Sequence, residues 1–299
     1  MKAPVHTPYD GSARLFTIGL GPLDPAHWIE PDDELERYLA EKDRLIATCR
    51  DLVFVEEPST RDAQQEVLDL LTAYLPACHP ARYSRTGEDL VAGRRRVPLC
   101  GGDAPLVTAG SLVQEDLVLM RRSDAGWRLV AGYVAFPSSW SLPEKFGRSM
   151  EEIHRPVPDF AAGTRNAVLI NRMFDNLRVE QPVFRFNWSI NPDGDLHYPV
   201  SKAHGALPGA DRISLAATYA RVERQTLRKL PVSGDLLFTI RIYTDPLSAI
   251  APLPDAARIA TTFADQLEAL TPPQADYKGL TDTRAELVAA LRRLALSTG

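Results

Sequence analysis

The sequence predicts an α+β protein with helical ends and a strand-rich middle. Near both ends of the chain, apolar residues recur at helical spacing. Between about residues 111 and 243 the pattern changes to short apolar runs bounded by turn residues, as strands require. Composition agrees: 299 residues, 44% hydrophobic and 24% charged, suffice for a large core and exclude disorder as the main state. The 24 prolines point to corners and short elements.

Residues 32–50 read as the first helix, with Leu35, Leu39, Lys42 and Ile46 on one stripe and acidic residues at its start. A second helix is expected over 60–75, with Val67, Leu68, Leu71, Tyr74 and Leu75 on its apolar side and Pro76 as its stop. Residues 111–122 read as a strand, 123–126 as a turn and 127–136 as the return strand. A further strand over 183–190 closes at the Asn-Pro-Asp-Gly turn of 191–194. The most strand-like segment is 235–243. Its expected partner is 215–227, which periodicity leaves open between strand and helix. Two helices finish the chain, over 255–270 and from a capping box at Thr283 and Glu286, with Leu287, Leu291 and Leu294 on one side. No repeat or low-complexity linker divides the chain. One domain is therefore expected: a helical N-terminal extension over 1–80, a sheet-rich core over 81–250 and C-terminal helices over 251–299.

Several function classes are disfavoured. The net charge is −5, and no basic stripe suited to nucleic acid is evident. Arg94, Arg95 and Arg96 read as a solvated loop or strand end, with a phosphate site as the alternative. Cys49, Cys78 and Cys100 are widely spaced and form no C-x-x-C, so neither a zinc ribbon nor a thioredoxin-like motif is supported, and a reducing cytosol is the expected compartment. The first residues contain no apolar signal-peptide region, and no run of about 18 apolar residues suggests a membrane span. HExxH, GxSxG, GxGxxG and P-loop patterns are absent.

The segment 138–158, SSWSLPEKFGRSMEEIHRPVP, carries the most chemistry. Ser141 and Glu144 have capping-box spacing and Pro143 suits a first turn, so one helix is expected to run from here to His154. Phe146, Met150 and Ile153 form its apolar stripe, and Pro156 and Pro158 end it. Gly147 would then lie beneath His154 on the same face and leave bare helix surface for a flat ring. A helix-borne neutral imidazole beside an apolar pocket is a common haem ligand, with Lys145 and Arg155 close enough to offer charge to propionates. The bland alternative is a partly exposed histidine interacting with the helix dipole. His197 and His204 could share a metal, but a spacing of seven across a loop specifies nothing; His6, His27 and His79 stand in N-terminal loops or beside proline.

The stretch 219–230, YARVERQTLRKL, is unusually charged. If extended, Arg221, Glu223 and Gln225 share one face, Val222 and Arg224 the other, and Arg241 and Tyr243 share a face of the neighbouring strand. A buried carboxylate beside guanidinium groups could position an amine or a proton relay. A solvated sheet face with weak cross-strand ion pairs accounts for the same pattern.

Four segments in order resemble the haem-dependent oxidative N-demethylase alpha-subunit family: GLGPLDPAHW at 19–28, FPSSWSLPEKFGRSMEEIHRPVP at 136–158, RFNW at 185–188 and ERQTLRKLPVSGDLLFTIR at 223–241. The resemblance spans about residues 15–245. It implies haem b in a PAS-like fold, a curved antiparallel sheet with helices packed around it. It implies oxidative N-demethylation of a small amine with dioxygen, release of formaldehyde, and electrons from a separate flavin and iron–sulfur reductase. By the matching IH-x-PVP element, His154 is the proximal iron ligand. Trp140 and Lys145 match the segment leading to it and would shape the pocket. Asn187 and Trp188 of RFNW, and Glu223, Arg224 and Gln225 of ERQ, would lie in or near it. Arg224 is expected at a propionate, where a guanidinium fork suits a carboxylate, and Glu223 as the holder of an amine cation. The alternatives are a haem-based PAS sensor without turnover, N-oxygenation of the amine, and a haem-free binding domain. A cytoplasmic protein without membrane or nucleic-acid partners is expected, with a homodimer left open.

Overall fold

A computed structural model describes residues 2–100, 102–124, 126–160, 163–199 and 213–298. The first extended piece, β1 (Gly21–Pro22), precedes helix α1 (Leu35–Thr48), a short turn of helix α2 (Arg50–Val53) and strand β2 (Phe54–Glu56). Helix α3 (Arg61–Cys78) leads into three small strands, β3 (Tyr83–Thr86), β4 (Asp89–Ala92) and β5 (Arg95–Pro98). Helix α4 (Pro105–Gly110) precedes the hairpin of β6 (Asp116–Ser123) and β7 (Gly126–Tyr133). Three helices follow, α5 (Leu142–Lys145), α6 (Met150–His154) and α7 (Arg165–Asn176). The long strands β8 (Val183–Asn191), β9 (Tyr219–Lys229) and β10 (Leu236–Pro246) come next, and α8 (Ala256–Glu268), α9 (Pro272–Tyr277) and α10 (Arg284–Thr298) close the chain.

Among the described residues the main sheet has the order β1-β8-β9-β10-β6-β7-β2, with every neighbouring pair antiparallel. The second sheet, β3-β4-β5, is also antiparallel. The α+β expectation stands. The segment 1–80, however, is not simply a helical extension: β1 and β2 form the two edges of the main sheet. Two- and three-residue strands carry too little periodicity to be read locally. The ambiguous stretch before residue 229 is strand from Tyr219, because β8 and β10 pair with it on both sides.

Side-chain alternation separates the two faces of the sheet. One face presents Leu117, Leu119 and Leu237 to the layer of α1, α3 and α4, and Trp188, Ala220 and Val222 to Tyr9, α8 and α10. The other presents Val118, Met120, Leu129, Leu227 and Phe238 toward α7 and the segment carrying α6. Buried Lys42, on the inner stripe of α1, donates to the carbonyls of Gly110, Val113 and Glu115. Residues 111–115 are therefore turn, and β6 begins only at Asp116, later than the apolar pattern predicts. Gly110 lies against the Tyr133 ring with no room for a Cβ, which brings α4 onto β7.

Helix α3 continues past Pro76 to Cys78. A proline in the last turn forfeits only the bond to the carbonyl one turn back, so it does not stop the helix here. Arg95 pairs with Asp43 and Arg96 with Asp89, so this part of the arginine run is spent on surface ion pairs. No helix among the described residues is long and apolar enough to cross a membrane.

Candidate functional site

The single helix expected over 141–154 is two. Helix α5 ends at Lys145, Phe146 is extended, and Gly147 has φ +74°, a left-handed conformation suited to glycine. The Gly147 amide donates to the Leu129 carbonyl and the Leu129 amide to the Arg148 carbonyl, so the chain is strapped along β7 before it turns into α6. The capping box belongs to Ser149 and Glu152, whereas Ser141 caps nothing with its side chain. Gly147 is therefore a hinge that re-aims the helix, and not a bare patch beneath His154.

That re-aimed turn sets His154 in the wall of a cavity of about 270 Å³. Val118, Met120, Leu129, Leu227 and Phe238 form its sheet side. Met150, Ile153, Val157, Phe160, Ile170, Met173 and Phe174 form the helix side, and Phe16, Ile18 and Leu20 close it from the N-terminal loop. Apolar walls with a few convergent polar groups are the usual make-up of a cofactor or ligand site. The non-glycine residues with left-handed φ among those described are Phe16 (57°), Ser139 (64°) and Asp159 (68°). Phe16 and Ser139 line the cavity, and Asp159 adjoins lining residue Phe160. Backbone strain is thus concentrated around this volume.

The His154 Nδ1 lies 3.0 Å from the Met150 carbonyl oxygen, one turn earlier in α6. In the neutral ring this contact places the proton on Nδ1, donated to that carbonyl, and leaves the Nε2 lone pair available. Burial pushes the imidazole below its ordinary pKa, and Arg185 and Lys145 push the same way against the opposing Met150 contact. The ring is therefore neutral at pH 7, as a metal ligand must be.

The polar end comes from β8, β9 and the residues closing α9. Asn187 faces Glu223 across the β8–β9 ladder and Arg185 faces Gln225. Gln225 Nε2 donates to Glu223 Oε2 at 2.7 Å and so fixes the carboxylate. Buried Lys278 donates to the Trp188 carbonyl (2.7 Å) and to Asn187 Oδ1 (3.3 Å). Burial pushes its pKa down to about 8, with Glu223 opposing and Arg185 reinforcing the shift. Lys145 donates to the Ile153 carbonyl at 2.7 Å, and burial depresses its pKa also.

Trp140, Lys145, His154, Asn187 and Glu223 all line this one cavity. Arg224 does not. Alternation turns it to the opposite face, where it pairs with Glu30 at 2.9 Å and donates to the carbonyls of His27 and Trp28. That placement gives it no access to a ligand in the cavity. Trp188 likewise packs on Tyr9 and Phe263 away from it. Arg155 is exposed and contributes nothing to the lining. His197 sits 2.7 Å from the Ala135 carbonyl through Nδ1, and His204 lies outside the described residues. Arg185, Tyr277 and Lys278 are lining residues that the sequence reading gave no role. The period of β8 places Arg185 on the Asn187 face. Nothing local marks Lys278, which arrives from beyond the resembling segments.

The family model described as haem-dependent oxidative N-demethylase, alpha subunit-like, matches residues 19–288. The chain belongs to this family. The residues present fit the haem that the family's description carries. A neutral imidazole offers Nε2, apolar side chains line both the sheet and the helix side of the cavity, and Lys145, Arg185 and Lys278 supply cations for carboxylates. The Nε of Arg185 is buried without a partner among the described residues, as suits a donor to a bound carboxylate.

Proposed function

We propose that this N-demethylase-like chain binds haem b in the cavity, with His154 Nε2 as the iron's protein ligand, and oxidises an N-methyl group of a small amine. The observation that carries the reading is the Nδ1 contact of His154 with the Met150 carbonyl, which commits one ring nitrogen and frees the other. A PAS-like architecture belongs to the same reading. It is supported by the antiparallel strand block β8-β9-β10-β6-β7 with α5, α6 and α7 inserted over one face.

When bound, the haem supplies dioxygen activation. The methyl carbon, dioxygen, two electrons and two protons yield a carbinolamine and water. Its C–N bond then breaks as nitrogen gains the hydroxyl proton, giving formaldehyde and the smaller amine. In this reading the electrons come from a separate flavin and iron–sulfur reductase, in keeping with the alpha-subunit-like description of the family. Glu223, held by Gln225, takes the amine cation, while Trp140 and Lys145 shape the wall next to His154. Apolar walls exclude water from the reacting carbon.

Titrating the purified chain with hemin tests the first step. A Soret band shift in wild type that is lost or altered in His154→Ala is the expected result. No shift in wild type overturns the haem reading. Formaldehyde release with a surrogate reductase and methylamines tests turnover, and haem binding without it under any amine would instead mark a gas-binding module.

A further inference from the structure

Arg185 is the least satisfied charge in the cavity wall. Its guanidinium makes one hydrogen bond among the described residues, from Nη2 to the Thr17 carbonyl at 3.2 Å. Its Nε is buried with no partner. Burial lowers its pKa, and the Glu223 carboxylate opposes this through space. Glu223 itself is engaged by Gln225 and is shared electrostatically with Lys278, Tyr277 and Arg221. One carboxylate thus faces several cations. A second buried polar atom without a partner, Ser139 Oγ, lines the same cavity.

The position of Arg185 is also particular. It borders both the main cavity and a second, polar depression of about 260 Å³ formed with Arg14, Thr17 and the glycines at 11 and 19. Arg185 is half-buried, with its Nε enclosed between two openings; an enclosed N–H on a cation is costly unless an acceptor completes it, best an anion. A planar fork completes best with a carboxylate, through two parallel hydrogen bonds.

We propose that Arg185 is a carboxylate clamp, completed by a ligand that enters the cavity and carries a carboxylate group. This deepens the reading above and rests on the same cavity. Two sources share that chemistry: a haem propionate, or the carboxylate of an N-methyl amino acid whose amine reaches Glu223. If the carboxylate is a propionate, Arg185 does the work that sequence resemblance assigned to Arg224.

The test compares wild type with Arg185→Gln and Arg185→Lys. Affinity is read by Soret titration with hemin and with hemin dimethyl ester, and by calorimetry with N-methylglycine and dimethylamine, with and without haem. Loss of one charge-assisted pair should weaken the clamped ligand by about 10- to 100-fold. If a propionate is clamped, Arg185→Gln weakens hemin and leaves the diester unchanged. If a substrate carboxylate is clamped, hemin binding stays and N-methylglycine binding is lost, while dimethylamine is unaffected. Arg185→Lys retains charge without the fork and should fall between. Removing a cation whose Nε is buried without a partner should leave the thermal midpoint of the ligand-free chain unchanged or raised. A lowered midpoint with unchanged affinities means a structural arginine and overturns the proposal, as does the absence of any Arg185-dependent carboxylate binding. Wild type that takes no hemin sinks the haem reading alone, because the N-methylglycine arm still decides Arg185.

Discussion

At the residue scale, the cavity's chemistry depends on how burial and neighbours set the charge of each group. Glu223→Gln keeps the shape and the contact with Gln225 but removes the anion. It should raise the KM for a cationic amine about 10-fold or more with haem retained; unchanged kinetics would remove Glu223 from amine binding. Lys278 gives a signed pH dependence. Its pKa is pushed down to about 8, so as pH rises through that value the ammonium loses its proton and one positive charge leaves the neighbourhood of Glu223. The KM of an amine that stays protonated there should fall across this step, and Lys278→Met should flatten the profile. The same sign governs stability. Between about pH 8 and the ordinary 10.5 the unfolded chain holds a proton that the folded chain lacks, so this group makes stability rise with pH in that window.

At the element scale, the decisive feature is the break between α5 and α6. Gly147 has open space where a Cβ would go, so Gly147→Ala meets no clash and the cost is the left-handed φ alone. That cost is about 1 kcal/mol or somewhat more. Ser149→Ala should cost about 1 kcal/mol by removing the cap of α6. Urea unfolding reads both values, and hemin titration shows whether the α6 register, and with it His154, has shifted. A Gly147→Ala chain with unaltered stability would contradict the hinge. The motif was legible as sequence but assigned to the wrong serine: S-x-x-E spacing occurs at Ser141 and again at Ser149. Local spacing cannot choose between them. The pairing of Gly147 and Arg148 with Leu129 does, by stopping the first helix at Lys145.

At the scale of the whole molecule, Lys42 ties the α1 layer to the loop that feeds the sheet. Its ammonium is buried, serves the carbonyls of Gly110, Val113 and Glu115, and lies over the Tyr133 and Phe136 rings. Lys42→Met would leave those acceptors unsatisfied in the core, at a cost of about 3 kcal/mol or more. A clearly lowered thermal midpoint checks this, and a neutral substitution would show that water replaces the ammonium. The N-terminal segment has a comparable reach. It supplies both edges of the main sheet through β1 and β2, and Phe16, Ile18 and Leu20 to the cavity wall.

What the sequence determined by itself is the class of fold and most of the longer strands and helices; that His154, Trp140, Lys145, Asn187 and Glu223 line one cavity is a finding of the structure. Periodicity and caps act over a few residues, so they were enough for the long elements; the shared site was legible only through resemblance. What tertiary structure decided is which side each charge faces and what meets it. Alternation already set Arg224 opposite Glu223, but only the placement of the helix layers shows that the Glu223 face is the cavity and the Arg224 face the packed core. Arg185 and Lys278 join the site because sheet pairing and the approach of α9 bring together residues far apart in the chain, and no local pattern encodes that meeting.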